Sequence, residues 1–142
     1  MPPAPFSSPI RVTRPTLPSL ERGERHLKDI WASRGLSNQG PKHVQLEKRL
    51  ASVLGTKHVR LFSNGTLALM LGMKALGVQG EVITTPFTFP ATPHSIVWAG
   101  AVPVFCDVDR DSLCIDPERI EALITPGTKA ILAVHVYGVP AD

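Results

Sequence analysis

Long apolar runs are missing from this 142-residue chain. Its most apolar stretch, Ile96 to Cys106, is interrupted by Gly100 and Pro103 and falls far short of the ~20 residues a bilayer-spanning helix needs. No membrane association is therefore expected. A secretory leader is not expected either, since Met1 to Pro9 has no basic start and no apolar core, and four of its nine residues are proline. Cysteine is scarce. Cys106 and Cys114 stand apart, with no CxxC and no His/Cys cluster, so they read as small buried thiols of a reducing cytoplasm rather than metal ligands or a disulfide. Charge of one sign is lacking as well. Fifteen basic residues face 12 acidic ones and are scattered among them, which argues against nucleic acid as a partner. What remains is ordinary globular composition: 43% hydrophobic residues, too many for a wholly disordered chain, and enough for one core.

The first 18 residues hold six of the 14 prolines. Fixed φ angles and missing N–H donors predict an extended arm over 1–18. Periodicity then predicts a helix over 19–34, with Ser19 as N-cap, Glu21 in its first turn, a face of Leu20, Leu27, Ile30 and Trp31, and Gly35 as its stop. After the polar loop Ser37 to Pro41, a second helix is expected from about Lys42 to Leu54. Leu46, Leu50, Val53 and Leu54 form its apolar face, and Gly55 stops it.

From His58 onward short apolar segments alternate with helices. His58–Phe62, Glu81–Thr84, Ala101–Cys106 and Ala130–Val136 read as four strands, Pro103 either costing the third a ladder bond or putting it near an edge. Between them come a helix over Thr66–Leu76, expected to be buried nearly all round, and one over Thr92–Ala99, with Thr92 as cap and Pro93 at its first position. A helix start follows at Asp116-Pro117-Glu118. The class is α/β, a parallel-rich sheet with helices on both faces.

Four places carry candidate chemistry. Ser63-Asn-Gly-Thr66 turns from a strand into a helix, placing the backbone N–H groups of Gly65 and Thr66 and the Thr66 hydroxyl at a helix N-terminus. That suits a phosphate, although Asn64 and Thr66 also suit plain capping. The loop Thr84 to Thr92 follows a strand end, where ligands of open α/β sheets bind; of its Phe87 and Phe89, one ring is free to lie over a planar ligand while the other packs. Asp107, Asp109 and Asp111 read as a solvated turn rather than a metal site, so no metal is expected. His135, in an apolar strand, reads as a hydrogen-bonded core residue or one that helps to line a site, rather than as a base.

Taken in order, these segments resemble one family. They are Asn38-Gln-Gly-Pro41, Ser63-Asn-Gly-Thr66, Glu81-Val-Ile-Thr-Thr-Pro-Phe-Thr-Phe89, Ala99-Gly-Ala-Val-Pro-Val-Phe-Cys-Asp107, Asp116-Pro-Glu118 and Val134-His-Val-Tyr-Gly-Val-Pro-Ala-Asp142. The chain resembles the sugar aminotransferases of the DegT/DnrJ/StrS type, which have the aspartate-aminotransferase fold and depend on pyridoxal 5′-phosphate (PLP). The resemblance implies that Gly65 and Thr66 hold the cofactor phosphate, that Phe89 stacks on the pyridine ring, and that Phe87 packs inward. It places Asn38, Gln39, Gly40 and His135 near the substrate. It also implies amino transfer, commonly from glutamate, to a nucleotide-linked keto sugar for amino-sugar or polysaccharide biosynthesis, in a cytoplasmic homodimer. Residues 19–142 then correspond to the N-terminal part of the PLP-binding large domain. The family's Schiff-base lysine and ring-nitrogen aspartate fall beyond position 142, so no catalytic residue is expected within 1–142 and these residues alone are expected to be inactive. The alternative from another class is a non-catalytic binding or oligomerisation module of the same fold.

Overall fold

The structure, a computed structural model, describes Ser8 and residues 13–142. The proline-rich arm therefore falls largely outside the described residues; its part from 13 to 18 is exposed and carries no helix or strand. The chain divides into two compact units, one ending at Val59 and the other running from Arg60 to Asp142.

The first unit holds helices α1 (Leu20–Ser33) and α2 (Pro41–Leu54). Ser19 takes the N-cap position of α1, but its side chain makes no capping bond. The left-handed residue that ends α1 is Arg34 (φ 52°), not Gly35. Gly35 is constrained differently, because a Cβ there would sit 3.2 Å from the Pro41 ring. Helix α2 starts one residue earlier than expected, with Pro41 at its first position and Gly40 as N-cap, and it ends at a left-handed Gly55. Ile30 and Leu50 are half-buried, while Leu20, Leu27, Trp31, Val53 and Leu54 are exposed.

The second unit is built in the order α3 (Gly65–Ala75), β1 (Glu81–Thr84), α4 (Ala91–Ala99), β2 (Val102–Phe105), α5 (Pro117–Ile120), β3 (Thr128–Leu132). A 3₁₀ turn, Glu121–Leu123, continues α5, and another, Val136–Gly138, follows β3. The sheet order is β2-β1-β3, with both pairs parallel; Ile83 lies beside Val104 on one side and Ile131 on the other. Side chains alternate across a strand, so neighbouring residues of β1 feed two cores. Val82 packs with Met73 of α3, Ile96 and Ala99 of α4, and Ala101. Ile83 packs with Cys106 and Ile115, and Ile120 and Leu123 close over that side. The chain leaves β1 toward β2 through α4 and returns across β1 to β3 through α5. Right-handed crossovers in opposite directions place their helices on opposite faces. The expected parallel α/β layering with both faces covered is therefore present.

Three strands form where four were expected. His58–Phe62 has a strand-like sequence, yet among the described residues the sheet ladders run only through β1, β2 and β3. The last strand lies at Thr128–Leu132 instead of Ala130–Val136, because β1 is only four residues long and its partners end with it. Helix α3 is not buried nearly all round. Met73 is buried against the sheet, while Leu67, Leu71 and Leu76 are exposed. Absence of charge signalled burial that this unit supplies on one face only. Gly77 takes the left-handed position after α3, and Val78 N–H bonds Met73 O behind it, closing the helix.

Candidate functional site

The strand order reverses at β1, since the chain goes one way to β2 and comes back past β1 to β3. Such a switch point leaves a crevice at the carboxyl ends of the strands. The structure has a cleft of about 620 Å³ there, walled by the segment after β1, Pro86 to Thr92, and by the segment after β3, Val134 to Tyr137.

Buried hydroxyls fix the first wall. Thr84 Oγ donates to Leu132 O at 2.8 Å, locking the end of β1 to the end of β3. Thr85 Oγ accepts Phe87 N–H at 3.1 Å and turns the chain outward. Thr88 and Thr92 hydroxyls meet at 2.9 Å, bracing the loop against the first turn of α4. Thr92 therefore does not cap α4: Pro90 holds that position, Ala91 is the first helical residue and Pro93 the third. The resemblance implies that Phe87 packs inward and Phe89 lies open, and here Phe87 is exposed as well, though less so than Phe89. Phe87 is 42% exposed and its ring meets Tyr137 edge-on, with centroids 6.5 Å apart, whereas Phe89 is 78% exposed and its face is open.

The second wall is short and bent. His135 Nδ1 accepts Ala141 N–H at 2.9 Å. Tyr137 adopts a left-handed backbone (φ 51°), is almost wholly exposed, and is followed by left-handed Gly138. Sequence reading did not single out Tyr137 as a site residue. The signal available was a bulky residue before glycine just past a strand, where left-handed backbone concentrates at functional turns.

Gly65 and Thr66 open α3. Asn64 Oδ1 accepts Leu67 N–H at 2.9 Å, so the asparagine is the cap. Capping by Asn64 leaves the N–H groups of Gly65 and Thr66 without a protein acceptor among the described residues, at the positive end of the helix dipole. A Cβ at Gly65 would meet nothing within 4 Å, so the fold itself does not require glycine there. These two residues are not part of the cleft lining, which takes in Phe89 and His135. Asn38, Gln39 and Gly40 belong to the first unit: Gln39 is left-handed (φ 58°), and Gly40 caps α2 with its own space limited by Gly35 O at 3.0 Å. Neither lysine of the second unit, Lys74 or Lys129, lines the cleft, and Lys129 donates to Pro126 O.

The acidic residues after β2 are spent on structure. Asp109 Oδ1 accepts the N–H groups of Ser112 and Asp111, which hold its carboxyl below the usual range, and Asp116 caps α5 by accepting Glu118 N–H while pairing with Arg119 at 2.8 Å. No cluster of three or more metal-ligating side chains occurs among the described residues. No helix among them is long and apolar enough to cross a membrane.

The sequence profile of the DegT/DnrJ/EryC1/StrS aminotransferase family matches residues 20–142. The chain belongs to that family. Among its curated relatives, a dTDP-4-amino-4,6-dideoxy-D-glucose transaminase of Shigella dysenteriae is 53% identical over 137 residues, covering 96% of this chain and 37% of that protein. A crystal structure of DesI in the presence of its TDP-sugar product aligns with a TM-score of 0.89 at 40% identity, covering 98% of this chain and 36% of that one. NtdA from Bacillus subtilis with bound cofactor PMP aligns at 0.79 with 35% identity, covering 96% and 34%. The chain thus spans just over a third of the length of these DegT-family relatives. Its three-stranded sheet and flanking helices are the part of the aminotransferase fold they share.

Proposed function

We propose that the protein carrying this chain is a PLP-dependent aminotransferase acting on a nucleotide-linked deoxy keto sugar, with the amino group entering at C4 as in the Shigella relative's product name. The observations that carry the reading are two features of the second unit. One is the first turn of α3, with two unused N–H donors and open space at Gly65; the other is the switch-point cleft, with the exposed face of Phe89. A phosphate needs N–H donors at a positive helix end, and a pyridine ring needs an aromatic face. The residues present fit both halves of the cofactor.

When bound, PLP supplies an aldehyde that takes up and passes on an amino group, and a ring that withdraws electrons from the neighbouring carbon. Gly65, Thr66 and Phe89 would hold it. Thr84, Thr85 and Thr92 brace the backbone of the loop that carries Phe89. Asn38, Gln39 and Gly40 belong to the region that receives the sugar nucleotide, and His135 lines the cleft that receives the cofactor; the amino donor we take to be glutamate. We take the amine that joins the cofactor to come from outside residues 1–142: Lys74 and Lys129, the lysines of the second unit, do not line the cleft, and none of Lys28, Lys42, Lys48 and Lys57 has the sequence context of the family's lysine. We further place the protein in the cytoplasm, in keeping with two buried free thiols, Cys106 and Cys114, and take it to act as a homodimer.

The test is to purify the whole protein, record the cofactor absorbance, and follow amino exchange between glutamate and a dTDP-linked 4-keto-6-deoxy sugar. Cofactor-dependent turnover on that class supports the reading. A protein that neither retains PLP nor accepts any nucleotide-linked sugar would sink it.

A further inference from the structure

His135 is the one imidazole in the wall of the switch-point cleft, and one hydrogen bond decides what it offers there. Ala141 N–H reaches His135 Nδ1 at 2.9 Å. A main-chain N–H donates only to a ring nitrogen without a proton, so the neutral ring carries its proton on Nε2. Protonating Nδ1 as well would set two donors against each other and break the link to Ala141. Among the described residues Nε2 has no partner. The ring is thus held by one nitrogen and presents an N–H with the other.

We infer that His135 is a hydrogen-bond donor, not a base, and that it donates Nε2–H to an oxygen of the pyridoxal phosphate lying against Phe89, the Ala141 main chain fixing the tautomer that makes this possible. The inference rests on the reading of the cleft as the PLP site. The surrounding geometry supports it. Thr84 ties the two walls together where their strands end, so a ligand on the Phe89 wall faces the His135 wall across a fixed width. The polar groups of the Phe89 wall are already used among themselves, Thr85 on Phe87 N–H and Thr88 on Thr92. In the opposite wall His135 is the side chain with an unused polar hydrogen close to the backbone, since the Tyr137 ring is turned to Phe87 and its hydroxyl lies at the far end.

Two substitutions separate positioning from plain structure. His135→Asn keeps an acceptor about where Nδ1 is, so the Ala141 link and the fold survive, but its donor no longer reaches the cleft. His135→Gln puts an N–H about where Nε2 is. In the whole protein, titrated with PLP alone, the asparagine variant is expected to bind roughly tenfold more weakly and the glutamine variant within about threefold of the parent. Nitrogen-15 spectra of histidine-labelled parent protein give the second readout: His135 shows the Nε2–H tautomer, and its Nε2 resonance moves when PLP is added. Undiminished binding by the asparagine variant, or a resonance unmoved by bound PLP, overturns the inference. So does a change that appears only after a nucleotide sugar is added, which would assign the donor to substrate. A parent protein that binds no PLP defeats the functional reading itself; a parent that binds it beside an unaffected asparagine variant defeats this inference alone.

Discussion

Replacing the two phenylalanines of the cleft one at a time separates packing from binding. A fully buried phenylalanine cut to alanine costs about 3–5 kcal/mol. Phe87 is 42% exposed, so a little over half of that loss applies, and Phe87→Ala is expected to cost about 2–3 kcal/mol. Part of this is the edge contact with Tyr137, worth about 0.5–1.5 kcal/mol. Phe89 is 78% exposed, and by the same scaling Phe89→Ala costs under about 1 kcal/mol. Binding should show the reverse order. Loss of the Phe89 face removes the surface for the pyridine ring, so PLP dissociates faster and its absorption band shifts, while Phe87→Ala retains the cofactor once folded. The assay is urea unfolding for each variant without PLP, followed by cofactor retention on dialysis. A Phe89 variant that loses 2–3 kcal/mol and keeps PLP, beside a Phe87 variant that does neither, would refute the assignment of the two rings.

Three further outcomes follow from local geometry. Gly80→Ala forces a Cβ to 2.6 Å from Gly127 O at a backbone φ of 131°, at the end of the sheet away from the cleft; it should cost at least about 1–3 kcal/mol in urea melts. Asn64→Ala removes the side-chain acceptor for Leu67 N–H and should cost about 1 kcal/mol in the same assay, with a matching loss of α3 protection in hydrogen exchange. Burial pushes the Cys106 thiol above its ordinary value of 9.0, with the Asp116 charge adding to it. The unfolded chain then releases a proton that the folded chain keeps. This contribution to stability is full below pH 9.0 and is lost as pH rises through the raised folded value, so unfolding free energy should fall with pH there, less steeply in Cys106→Ala.

What the sequence made legible was whatever a short segment decides by itself. Asp116-Pro117-Glu118 contains its own cap, fixed φ and first-turn acid, and it forms the helix start expected of it. Gly55 ends α2 because the residue after a helix needs a left-handed backbone that glycine adopts freely. Glu81–Thr84 is a strand with the expected bounds, its buried Val82 and Ile83 feeding one core each. What depends on a distant neighbour was not legible. His58–Phe62 has the residues of a strand, but the ladders of the described sheet do not include it. Thr92 looks like a cap, yet Thr88 claims its hydroxyl. The site was legible in part: Phe89 and His135 come together in one cleft, and Gly65 and Thr66 open α3 as their turn chemistry implies. Tyr137 escaped notice because its position depends on a backbone reversal that only the end of β3 imposes.

The central claim is that the first turn of α3 is left bare to receive a phosphate, and Gly65→Ala tests it most directly. The new methyl group meets nothing within 4 Å in the protein, and Gly65 is not among the residues with positive φ. The substitution should therefore leave the fold intact and, by restricting the unfolded chain, stabilise it by about 0.4–1 kcal/mol. The space the methyl enters is the space assigned to the cofactor phosphate, beside the unused N–H groups of Gly65 and Thr66. The account expects PLP affinity, measured by absorbance titration of the whole protein, to fall at least tenfold while stability holds or rises. An alanine variant that binds PLP as tightly as the parent would contradict it.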